Sequence, residues 1–152
     1  MLRLKQYGWH MVEDHPDFSR QDWQVAVSAR RFECGSPNML GIHALSASLV
    51  LLEEVGMETV AARVLANSAY LMQELSGLPD IDILTPQLPG RYAGIVTFRH
   101  RRIDAAELHR RLLAHAVICA QRGNGVRFSA HFYLTRKQLE AAVAAVEQST
   151  RS

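Results

Sequence analysis

At 152 residues, 48% hydrophobic and 21% charged, the chain has the length and composition of one ordinary globular core, which excludes a wholly disordered protein. The net charge is only +2, carried by 15 Arg and 2 Lys with no long basic run, so nothing suggests a nucleic-acid-binding arm. The two cysteines, Cys34 and Cys119, lack C-x-x-C spacing, and the seven histidines lack metal-ligand spacing, so no metal site is expected.

Residues 1–30 are polar and irregular, and read as an extended arm with aromatic anchors at Trp9, Phe18 and Trp23. The next segment opens a helix. Ser36 offers a capping oxygen and Pro37 suits the first helical position, so a helix is expected over 37–55, stopped by Gly56. Met39, Leu40, Ile42, Leu45, Leu49, Val50 and Leu51 cover most of its circumference, so it should be buried on several sides, by its own domain or by a partner. His43 on this apolar helix reads as a core histidine. The stretch from Leu40 to Val55 is too short to span a membrane and contains Glu53 and Glu54. With no apolar leader visible at the N-terminus, a soluble cytoplasmic protein with reduced thiols is expected.

A second helix over 58–76 has Val60, Val64, Leu71 and Leu75 on one stripe, and Gly77 and Pro79 end it. Short strands are expected at 81–84, 94–98, 117–119 and 126–129. Asp104 caps a helix to Ala114, with Glu107 completing a capping box and Ile103 and Leu108 a staple. Thr135, Gln138, Leu134 and Leu139 repeat that pattern for the last helix. Arg99, Arg101 and Arg102 around His100 read as a solvated turn, with a phosphate contact as the other possibility. After residue 80 the order is strand, strand, helix, strand, strand, helix. That order is an α+β two-layer fold: a small, mainly antiparallel sheet with helices on one face, preceded by two long helices.

Two segments carry the chemistry. One is Arg30-Arg31-Phe32-Glu33-Cys34-Gly35-Ser36-Pro37-Asn38; the other is Val126-Arg127-Phe128-Ser129-Ala130-His131-Phe132-Tyr133-Leu134-Thr135. Strand alternation puts Arg127 on the face opposite Val126 and Phe128. An arginine aimed into a site can grip a carboxylate with two parallel hydrogen bonds; left on the solvent side it does nothing of the kind. The Gly35-Ser36-Pro37 turn points backbone N–H groups and the positive helix end forward, where an anion is favoured; simple N-capping by Ser36 competes for the same hydroxyl.

The two segments together resemble the R-F-E-x-G-T-x-N and R-x-S-x-x-x-Y-N-T motifs of class V aminotransferases and cysteine desulfurases, which are pyridoxal-phosphate (PLP) enzymes. Gly8-Trp9 resembles a G-W pair of the same family, and the likeness runs from about Tyr7 to Val146. Ser36 stands for the usual Thr, and Leu134 for the usual Asn. The resemblance implies an aminotransferase small-domain fold over 31–149, with the large PLP-binding domain absent. It implies that Arg127 binds the α-carboxylate of an amino-acid-like substrate. It also implies that Gly35 and Ser36 reach the phosphate of PLP held by the other subunit of a homo-oligomer, and that His131 lines the entrance unless it is a plain surface histidine.

Neither Lys5 nor Lys137 resembles the family's cofactor lysine, so no covalent PLP and no activity of the chain alone are expected. Cys119 sits in the apolar run 115–119 rather than on the loop where a desulfurase holds its thiolate, so it reads as a small buried hydrophobe, and Cys34 as packing. A reading of another class stays open: a free-standing α+β module that binds an anion or a protein without catalysis.

Overall fold

The computed structural model describes residues 3–151. The chain divides into two compact units, one up to Leu51 and one from Leu52 onward. In the first unit the arm is more ordered than its composition suggests. Short 3-10 turns at Trp9–Met11 and Ala29–Phe32 flank an antiparallel bridge between Val12 and Val25. Met11 and Ala26 are buried beneath it, and the Ala26 N–H donates to the Met11 carbonyl at 3.0 Å. Gly8 lies so close to Cys34 that a Cβ on it would sit 1.7 Å from the Cys34 carbonyl oxygen. Its φ of −168° is ordinary extended backbone, so space alone demands glycine here.

Helix α1 runs Met39–Val55 and crosses from the first unit into the second. It starts two residues later than expected, because Asn38 rather than Ser36 is the cap. The Asn38 Oδ1 accepts from the Gly41 N–H at 2.9 Å, and the Ile42 N–H donates to the Asn38 carbonyl. Gly56, at φ +83°, ends the helix. Of the two coverings expected for α1, its own domain supplies none: no described residue of α1 is buried, and Leu40 is 83% exposed. His43 is likewise exposed and is no core histidine, because the helix it rides on has no buried face within this chain.

The second unit is the α+β layer. Helices α2 (Met57–Ser76), α3 (Ala105–Ala114) and α4 (Arg136–Thr150) pack on one face of a four-stranded sheet. Its strands are β1 (Ile81–Ile83), β2 (Ile95–His100), β3 (Ala120–Arg122) and β4 (Gly125–Ser129), in the order β1-β2-β4-β3 with every pairing antiparallel. Val96, Phe98, Val126 and Phe128 point to the helices and meet Leu71, Leu75, Leu108, Leu112, Leu139 and Val146. Phe98 and Phe128 contact edge to face with centroids 5.0 Å apart. Each fully buried large side chain contributes about 1.5–3 kcal/mol, so this layer carries the fold's stability. Gly125 is required by close approach: a Cβ there would lie 2.7 Å from the Phe98 carbonyl oxygen.

Two local expectations are corrected. The third strand begins at Ala120 rather than 117, because Val117 is still tied into the end of α3. Its N–H donates to the Leu112 carbonyl and that of Ala116 to the Leu113 carbonyl, a Schellman pair with Ala116 left-handed at φ +58°. Asp104 caps α3 by accepting from the Ala106 N–H at 2.8 Å, but Glu107 does not return to complete a box. Arg110 and Arg111 take its carboxylate instead, both at 2.7 Å, and hold its pKa at about 2. The box at Thr135 and Gln138 forms as expected.

Candidate functional site

Arg127 sits mid-strand in β4, paired to Thr97 on one side and Ala120 on the other. Val126 and Phe128 are buried against the helices, so Arg127 projects from the helix-free face. It is partly buried, and its Nε–H is shielded from water with no acceptor among the described residues.

Arg99, two residues from Thr97 on β2, makes the contrast. Its Nε and Nη2 both donate to Asp82 Oδ2 at 3.1 Å. The Arg101 Nε reaches Asp82 Oδ1 at 2.9 Å, and Arg102 pairs with Asp80. Hydrogen bonds from Arg101 and Arg99, reinforced by their charges, hold Asp82 below the usual carboxylate range. Thus the 99–102 cluster has its counter-charges inside the fold, whereas Arg127 has a sequestered donor and no paired acid among the described residues. A shielded donor without an acceptor costs about 1–3 kcal/mol, and an external carboxylate is the group that would satisfy it with two hydrogen bonds.

The Gly35-Ser36 turn belongs to the first unit. With Asn38 capping α1, the Ser36 hydroxyl is exposed and makes no hydrogen bond among the described residues. The competition between capping and anion contact is thereby removed. His131 is exposed near the start of the β4–α4 connection, stacked on Tyr133 with centroids 4.5 Å apart. Its carbonyl accepts from Asn67 Nδ2 at 3.0 Å, and nearby the Arg136 guanidinium lies 3.6 Å over the Tyr70 ring. The apolar cavity of about 460 Å³ in this unit, lined by Leu71, Val117, Phe128, Leu134 and Leu139, does not include Arg127.

Cys119 is half-buried, packs against the core, and has its thiol pKa raised by burial, the opposite of an activated thiolate. Lys5 and Lys137 are both exposed, one in the arm and one in the first turn of α4. Neither occupies the enclosed setting a covalently held carbonyl cofactor needs. No group of three metal-ligating side chains occurs among the described residues, and no single described helix is long and apolar enough to cross a membrane. Asn38 and Thr97 are two further residues that shape the site. Asn ranks among the best N-caps, and β2 alternation would have put Thr97 and Arg99 on one face, so both signals were in the chain.

The family model for aminotransferase class-V matches residues 2–145. The chain belongs to the class V aminotransferase family. The uncharacterized aminotransferase YcbU of Bacillus subtilis is 31% identical over 131 residues, covering 85% of this chain and 34% of that protein. A cysteine desulfurase of Cronobacter sakazakii is 34% identical over 82 residues, covering 52% of this chain and 20% of that protein. Among solved structures, the apo cysteine desulfurase of Thermococcus onnurineus superposes with a TM-score of 0.79 at 20% identity, over 93% of this chain and 38% of that one. A C-DES variant with glycine covalently linked to its PLP cofactor gives 0.80 at 18% identity, over 94% and 37%. The α+β fold is therefore that of the class V enzymes, and the chain spans about a third of the length of these relatives, or less.

Proposed function

We propose that this chain is the C-terminal portion of a class V PLP-dependent aminotransferase acting on an amino-acid-like substrate, with Arg127 receiving the substrate carboxylate. The observation that carries the reading is the shielded, unpartnered Nε–H of Arg127 on the helix-free sheet face, beside an Arg99 already satisfied by Asp82. The exposed, uncommitted Ser36 hydroxyl supports a phosphate contact at the start of α1, made with Gly35 to PLP held by another subunit. PLP would supply the electron sink of the reaction; this chain's share is to hold and orient the substrate. With two exposed lysines and no enclosed one, the chain does not turn over substrate by itself.

The test is direct. The chain, labelled at its arginine side chains, is titrated with L-alanine and with the matching amide while the Nε–H resonances are followed by NMR. The Arg127 signal should shift with the carboxylate and not with the amide, and the Arg99 signal should stay still. Equal shifts at both arginines, or none at Arg127, would sink the assignment. A second reading, a free-standing anion-binding or protein-interaction module, draws on the self-contained core of the second unit. It requires tight binding of an anion or protein by the chain alone, with no gain on supplying a cofactor-bearing partner.

A further inference from the structure

The chain's two tryptophans, Trp9 and Trp23, both line one cavity of about 530 Å³ in the first unit, together with Tyr7, Phe18, Asp17 and Arg20. That volume falls within the roughly 300–1,000 Å³ of small-molecule sites. The rings are held rather than loose: Tyr7 and Trp23 have centroids 6.0 Å apart and Trp9 and His15 5.5 Å apart. Yet they remain open to solvent, with Tyr7 67%, Trp9 54%, Trp23 60% and Phe18 90% exposed. Large rings gathered at a cavity but left wet present their negative faces to whatever enters.

Asp17 and Arg20 are the oppositely charged side chains that line the cavity, with His15 beside them. From Val12 to Gln24 there are four carboxylates, Glu13, Asp14, Asp17 and Asp22, against the single Arg20. Arg20 could have favoured an anion, but it is already more than balanced. Its Nε and Nη2 hold Asp22 at 2.7 and 3.0 Å, its Nη1 reaches Asp14 at 3.2 Å, and Gln24 takes a further bond. Asp17 uses one oxygen, Oδ1, for the Ser19 N–H and hydroxyl, and these bonds keep it ionised. Its other oxygen is uncommitted among the described residues.

We infer that this aromatic, acid-edged cavity is a binding site for an organic cation with an alkylated ammonium head. Ring faces attract such a head through their quadrupoles, and its weak hydration makes entry cheap. Asp17 supplies the counter-charge. An anion is disfavoured because Arg20 is already held by Asp22 and Asp14, and a neutral apolar ligand gains nothing from Asp17. The site is independent of Arg127, which lies in the other unit.

Because both tryptophans line the cavity, intrinsic fluorescence reports on this site alone. The full chain is titrated with choline and, separately, with its neutral isostere 3,3-dimethylbutan-1-ol. Choline should give a saturable change, and the alcohol should bind at least ~10-fold more weakly. Asp17→Asn keeps the oxygen that accepts from Ser19 and removes the charge, and should weaken choline by roughly 5-fold. Phe18→Ala removes a ring too exposed to support the fold, and should weaken it by about 2–5-fold. Unchanged circular dichroism checks that both variants are folded. Equal binding of the alcohol, no saturation by choline to about 100 mM, or indifference to both substitutions would overturn the proposal.

Discussion

Replacing Arg127 by methionine should cost the protein its carboxylate and none of its stability. The Nε–H of Arg127 is shielded and unpartnered, a condition worth about 1–3 kcal/mol against the folded state. Methionine keeps an unbranched stem of similar reach between Thr97 and Ala120 and removes the donor. Partial exposure lets water relieve some of the cost, so unfolding free energy should stay level or rise by up to ~1 kcal/mol, about 2–4 °C at this length. Arg127→Lys keeps the charge but loses the planar fork. In a protein joining these motifs to a cofactor-bearing domain, that change should lower kcat/KM by roughly 10–100-fold, on the order of 1.4–3 kcal/mol. Urea unfolding of the two variants, with the m-value held constant, and steady-state kinetics measure the two sides. A drop of more than about 1 kcal/mol in Arg127→Met, with normal kinetics in Arg127→Lys, would make Arg127 a structural residue and refute the reasoning.

Treatment with PLP and borohydride should label neither Lys5 nor Lys137 selectively, and mass spectrometry showing stoichiometric attachment at either would reverse that expectation. The exposed apolar residues of α1 should drive self-association, most simply as a two-fold dimer, and Leu45→Glu should shift it toward monomer. A strict monomer of the unmodified chain at tens of micromolar in sedimentation would contradict this. His100 should make the second unit acid-sensitive. It is buried, and its Nδ1 accepts from the backbone N–H groups of Arg102 and Ile103 at 3.1 and 3.0 Å, which leaves no room for a proton there. Burial lowers its pKa, Asp80 opposes that, and Arg102 and Arg111 add to it. Stability should therefore be full above about pH 6.5 and fall as pH drops below it, by at most about 1.4 kcal/mol per pH unit, until the folded imidazole itself takes a proton. His100→Asn should remove that slope, and an unchanged slope in urea titrations from pH 7.5 to 5 would assign it to other groups.

Local chemistry was legible where it competes with nothing. The Thr135 box, the glycine stop at Gly56 and the apolar alternation of β2 and β4 each act within a few residues, so the sequence by itself determined the element order, the α+β class and which face of β4 bears Arg127. Competition between neighbours was decided only in three dimensions. Asn38 rather than Ser36 caps the helix because the chain turns helical only at Met39, which sets the Gly41 N–H three residues ahead of the Asn38 Oδ1. Glu107 went to Arg110 and Arg111 because two cations outweigh one backbone donor. Val117 was drawn into the end of α3, which delayed β3. The distinction between Arg99 and Arg127 is the furthest from sequence. Both are strand arginines on the helix-free face, and only the antiparallel register that sets Asp82 opposite Arg99, and Thr97 and Ala120 beside Arg127, gives one its acid and leaves the other without.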